Sequence, residues 1–92
     1  MHFEWDEKKN STNKKKHGID FKNAQYAFAD PKRVIAIDRS HSNTREKRHF
    51  CYGRVDNFIV TVRFTYRNNK IRILGAGYWR EGKKVYEKAN KV

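Results

Sequence analysis

From Phe58 to Tyr66 the chain alternates with a period of two. Phe58, Val60, Val62, Phe64 and Tyr66 share one side; Ile59, Thr61, Arg63, Thr65 and Arg67 share the other. Successive side chains of a strand point to opposite faces, whereas a helix repeats every ~3.6 residues, so this run specifies a strand. Asn68-Asn69 follows directly, and asparagine tolerates the positive φ that a two-residue type I′ turn requires. Lys70 to Ala76 then returns as the partner strand. This hairpin commits the middle of the chain to an antiparallel sheet, and the remaining segments must cover or extend it.

Phe3 and Trp5 alternate with His2 and Glu4, which gives a short strand over His2–Asp6. Asp6 caps a helix from Glu7 to Lys16, with Glu7 favourably placed in its first turn. Gly18 stops that helix. Asp20 caps a second, Phe21 to Ala29, whose Phe21, Ala24 and Phe28 form an apolar stripe; Asp30-Pro31 ends it. Arg33–Asp38 and Arg48–Arg54 alternate as strands on either side of a polar loop, Arg39–Glu46. Trp79 to Asn90 closes the chain as a helix with Trp79, Gly82, Val85, Tyr86 and Ala89 along one side. The expected fold class is α+β: one small domain over residues 1–92, with an antiparallel sheet of about four to five strands. Two N-terminal helices and one C-terminal helix pack on one face of that sheet.

Charge bounds the function. Lys plus Arg number 22 against 10 Asp plus Glu, a net charge of +12 in 92 residues. A field of that sign attracts polyanions, with nucleic acid first, an anionic membrane surface second and an acidic protein third. Cys51 is the only cysteine, so no intrachain disulfide forms. The N-terminal MHFEWDEKKN has no apolar core of a signal peptide, and no apolar run approaches the roughly 20 residues of a membrane span. A cytoplasmic protein is expected. Four scattered histidines and one cysteine show no metal-ligand spacing, so neither metal nor other cofactor is expected.

Several phrases together resemble the BrnT toxin family: the opening FEWDEKKN; KHGIDF followed by Ala24, Phe28 and Asp30-Pro31; Glu46 and Arg48 leading to Gly53; and IRILGAG followed by Arg80, Tyr86 and Glu87. The resemblance runs from Phe3 to Glu87. It implies a RelE-like fold, a small antiparallel sheet with helices against it. It also implies cleavage of RNA, growth arrest, and a BrnA-type antitoxin encoded alongside. It implies further that the DNA-binding half of that antitoxin carries the complex to its own operator, and an assembly of two toxins and two antitoxins is expected. Many members carry an arginine and a small polar residue in the segment that here reads Gly75-Ala76-Gly77. If that arginine serves cleavage in the family, the resemblance implies that the role here falls to Arg72, Arg80 or others. The alternative reading is a non-catalytic nucleic-acid-binding or co-repressor protein, or an inactive toxin homologue.

RNA carries its own nucleophile, the 2′-hydroxyl. A ribonuclease without metal needs an acid–base group, cations for the phosphorane and a ring to hold a base. His17 is the acid–base candidate, since imidazole titrates near pH 6.5 when unperturbed; a helix-terminal histidine favourable to the dipole is the other reading. Arg63, Thr65 and Arg67 project from one strand face, and Arg72 lies across the hairpin. Such guanidiniums repel unless an anion joins them, so they read as a phosphate site or as a solvated basic face. Arg67, Arg72 and Arg80 are the catalytic candidates beside His17. Lys14, Lys16, Arg48, Arg63, Tyr78 and Tyr86 are the RNA-binding candidates. The lysines of Lys8–Lys16 equally suit an acidic antitoxin segment or a solvated helix. His49 and Cys51 read as packed residues, and His2 and His41 show no partner.

Overall fold

The computed structural model describes residues 2–91; Met1 and Val92, the ends of the expected domain, lie outside the described residues. The elements are β1 (Phe3–Trp5), α1 (Glu7–His17), α2 (Phe21–Ala24) continued by a 3₁₀ turn (Gln25–Ala29), and β2 (Val34–Asp38). A short 3₁₀ turn (Arg39–His41), β3 (Arg48–Val55), β4 (Phe58–Arg67), β5 (Lys70–Gly77) and α3 (Arg80–Asn90) follow.

The five strands form one sheet in the order β1-β5-β4-β3-β2. β2, β3, β4 and β5 pair antiparallel through consecutive connections. Asn68 and Asn69 both take positive φ, 52° and 63°, as the type I′ turn requires. β1 departs from the expected pattern. It runs parallel to β5, Phe3 opposite Ile71 and Trp5 opposite Ile73, so the sheet is mixed. Turn chemistry fixes direction only between strands that follow one another, and β1 meets a strand from the far end of the chain.

The helices also differ from expectation, because they cover both faces. α2 and its 3₁₀ extension bury Phe21, Ala24, Ala27 and Phe28 against Cys51, Val60, Val62, Phe64 and Ile73. On the opposite face α3 buries Tyr86 against Tyr52 and Ile59, with Val34, Ala36, Phe50 and Val85 around them. Both sides of β4 are therefore covered over Ile59–Val62, and Thr61 is buried with them. A bulge at Arg63/Phe64 inserts Leu74 as an extra residue, which lets Ile73 and Ala76 of β5 both face the larger core.

α1 has no apolar stripe and docks through amides instead. Asp6 Oδ1 accepts from the N–H of Lys8 and Lys9, and Gly18 closes the helix at φ 74°. Asn13 is buried, and its Nδ2 donates to the carbonyls of Ile19 (3.0 Å) and Ala76 (2.9 Å). Its Oδ1 accepts from the N–H of Ala76 at 3.1 Å. Since β1 stops opposite Ile73, the edge of β5 beyond it would lie bare; Asn13 pairs it as a neighbouring strand would. No described helix is long and apolar enough to cross a membrane.

Candidate active site

α1 lies beside β5, and between them opens a groove of about 350 Å³ lined by Lys8, Lys9, Lys16, His17, Arg63, Leu74 and Trp79. His17 is the last residue of α1, and its imidazole meets the Trp79 indole edge-on at 5.0 Å between centroids. Trp79 is held in place from beneath. A Cβ at Gly77 would stand 2.7 Å from the indole, so only glycine lets the ring lie flat on β5. From the floor rises Arg63, whose Nε is buried, has no hydrogen-bond partner and lies 3.9 Å from Asp38 Oδ2. An imidazole and an indole thus share one groove edged by lysines, with Arg63 at its floor and reaching from there toward Asp38.

Beyond the end of α3, the same face carries the arginine cluster, and each guanidinium has a carboxylate. Glu46 accepts from Arg48 Nε at 3.1 Å and from Arg67 Nη2 at 3.0 Å, and Glu4 accepts from Arg72 Nη1 at 2.8 Å. The hydrogen bonds from Arg48 and Arg67 hold the Glu46 carboxyl below its usual range. Internal anions therefore relieve the repulsion that otherwise calls for a phosphate. His41 has a partner after all: its Nδ1 lies 2.9 Å from Asp38 Oδ2 and 3.0 Å from Ser40 Oγ. Burial alone would raise the Asp38 pKa, but hydrogen bonds from Ser40 and His41 and the charges of His41 and Arg63 bring it below the ordinary value.

The remaining candidates lie elsewhere. Arg80 begins α3 and, with Tyr78, lines a separate hollow that shares the Trp79 wall with the groove. Tyr78 is exposed and meets Phe58 at 5.6 Å. Tyr86 is buried, its hydroxyl donating to Asp30 Oδ2 at 2.6 Å. Lys16 lines the groove; Lys14 does not. So of the proposed catalytic set, His17 stands in the groove, Arg67 and Arg72 in the paired cluster, and Arg80 past Trp79. Cys51 is fully buried and its thiol is pushed up to about 12 by desolvation, which removes it as a nucleophile. His49 stacks on Phe64 at 5.4 Å. Asn13 and Asp38 were not legible as site residues, because their roles depend on which elements meet; Trp79 was legible as an aromatic that either stacks on a base or packs in the core.

The family described as "Ribonuclease toxin, BrnT, of type II toxin-antitoxin system" matches residues 5–82. No curated protein matches the chain. The matched span includes both walls of the groove, from α1 to Trp79.

Proposed function

Taking as premise that the chain belongs to the BrnT family of ribonuclease toxins of type II toxin–antitoxin systems, we propose that the groove between α1 and β5 cleaves RNA. The observation that carries this reading is the meeting of His17, Trp79 and Arg63 in one cationic groove. A base stacks on the exposed part of the Trp79 indole, which is worth about 1–3 kcal/mol per base. Its phosphate sits over Arg63, whose planar fork matches the non-bridging oxygens, with Lys8, Lys9 and Lys16 drawing in the backbone. The 2′-oxygen attacks phosphorus, the bond to the 5′-oxygen breaks, and a 2′,3′-cyclic phosphate and a 5′-hydroxyl result. His17 is the acid–base group for the proton that leaves the 2′-oxygen and the proton that the 5′-oxygen gains. Arg48, Arg67 and Arg72 continue the phosphate track along the sheet, and Arg80 and Tyr78 continue it past Trp79. A BrnA-type antitoxin neutralises the activity in an assembly of two toxins and two antitoxins.

The test is cleavage of a defined RNA by the purified chain. His17→Ala is expected to lower the rate about 10²–10⁴-fold, the usual contribution of an acid–base group. Arg63→Ala is expected to lower it comparably, and excess EDTA is expected to leave it unchanged. A His17→Ala rate within about threefold of the parent rate would give the acid–base role to another group. RNA binding without any cleavage by the parent chain would instead favour the non-catalytic reading. Loss of activity on chelation, restored by magnesium, would overturn the metal-free chemistry.

A further inference from the structure

The two edges of the sheet are treated differently. At one edge β1 is only three residues long, and α1 takes over the remainder of β5 through Asn13. At the other edge β2 pairs with β3 alone, and Val34-Ile35-Ala36-Ile37 carries no charge, proline or bulge. The one acidic residue of β2, Asp38, is turned inward and is 3% exposed. Bare apolar edges are templates for another chain, and proteins normally blunt them. Beside this edge the face opposite α3 is left partly uncovered: Ile35 is 43% exposed, Ile37 48% and Tyr66 60%. A hollow of about 670 Å³ opens between Phe28, Ile35, Tyr66 and Ile71, rimmed by Arg33 and Arg67.

Charge decides the occupant. Lys32 and Arg33 precede the strand, Arg39 follows it, and Lys47 stands with Arg39 around Ile37. A second copy laid antiparallel on this edge would bring cations against cations. An acidic segment would meet them favourably, which speeds capture and excludes wrong partners.

We propose that the β2 edge and the Ile35/Ile37/Tyr66 face dock an acidic, strand-forming segment of the antitoxin. This rests on the family reading for the existence of an antitoxin. The segment adds a strand to β2, main-chain hydrogen bonds supplying affinity and alternate side chains filling the apolar hollow. Docking is thus on the side of the sheet away from α3, and of the arginine cluster only Arg67 reaches its rim. The toxin is held by one surface while its groove residues stay outside the principal contact.

The experiment uses the full chain, co-expressed and purified with the protein encoded by the adjacent antitoxin gene. Affinity is measured by calorimetry and RNA cleavage is measured on the free chain. Ile35→Glu/Ile37→Glu is expected to weaken binding by at least about 100-fold, the scale of a lost apolar anchor pair, with cleavage unchanged. Ile35→Thr/Ile37→Thr, which keeps the β-branched shape at two half-exposed positions, is expected to weaken it by about tenfold and guards against misfolding. Binding by both variants within about threefold of the parent would overturn the proposal. So would a parent chain that is dimeric by light scattering and becomes monomeric in the variants, since a second copy would then own the edge. A parent chain that binds the antitoxin but cleaves no RNA would overturn the ribonuclease reading and leave this one standing.

Discussion

Asn13 supports the site without touching its chemistry. Its amide supplies the donor and the acceptor that the unpaired Ala76 peptide needs, and it also ties down the Ile19 carbonyl. Asn13→Ala leaves those groups buried and unpaired, at about 1–3 kcal/mol each. A denaturation midpoint measured for the variant is expected to fall accordingly; a midpoint within error of the parent would mean that water replaces the amide at no cost. Loss of the docked α1 is also expected to weaken cleavage by moving His17 away from Trp79. Individual residues were only partly legible in the sequence. The chemistry of His17 and Arg63 follows from their side chains. Their neighbours follow from register and helix placement, and a bulge at Arg63 shifts that register by one residue. His41 illustrates the same point: it stands three residues from Asp38, and only the 3₁₀ turn at Arg39–His41 folds the imidazole back onto the carboxylate.

Among the elements, α3 is the one whose attachment can be read as a pH window. Asp30 accepts from Tyr86 Oη, from the N–H of Arg54 and from the N–H of Lys32, so it joins α3 to β3 and to the end of the 3₁₀ turn. Burial disfavours its charged form, but those hydrogen bonds prevail and its pKa is lowered. The stabilisation is therefore complete above the ordinary carboxylate value and is lost as pH falls through the lowered one. For Tyr86, burial and the Asp30 bond raise the phenol pKa. Its stabilisation is present below the ordinary tyrosine value near 10 and is lost as pH rises through the raised one. Tyr86→Phe is expected to cost about 1.5–3 kcal/mol at neutral pH, the range for a hydrogen bond to a charged group. It is also expected to flatten the alkaline limb of the stability profile; a profile superimposable on the parent would show that the bond carries no net energy. The caps at Asp6 and Asp20, the Asn68-Asn69 hairpin and the alternation of β4 were all legible, because each is a local rule. The side on which α3 packs was not, since β4 is apolar or small on both faces from Ile59 to Val62 and either face accepts a helix.

At the scale of the whole molecule, the sheet separates two kinds of surface. One side carries the groove and the arginine cluster; the other carries the bare apolar strip beside β2. The net charge of +12 serves both. If the groove and its flanking arginines hold an RNA backbone, binding weakens with salt at a log–log slope of about −0.7 for each phosphate contacted on a single strand. Titration of a non-cleavable RNA at several salt concentrations is expected to show a slope of several times that value, and a slope near zero would remove backbone contacts from the account. The pairing of β1 with β5 has a further consequence in time. Phe3 and Trp5 find their places only when Ile71 and Ile73 exist, and the groove closes only when Trp79 follows them. At about 5–20 residues per second of synthesis, a ribosome spends several seconds making a chain that has no assembled groove. If the groove cleaves RNA, the non-local pairing works as a delay, since no cleaving surface is assembled until most of the chain has been made.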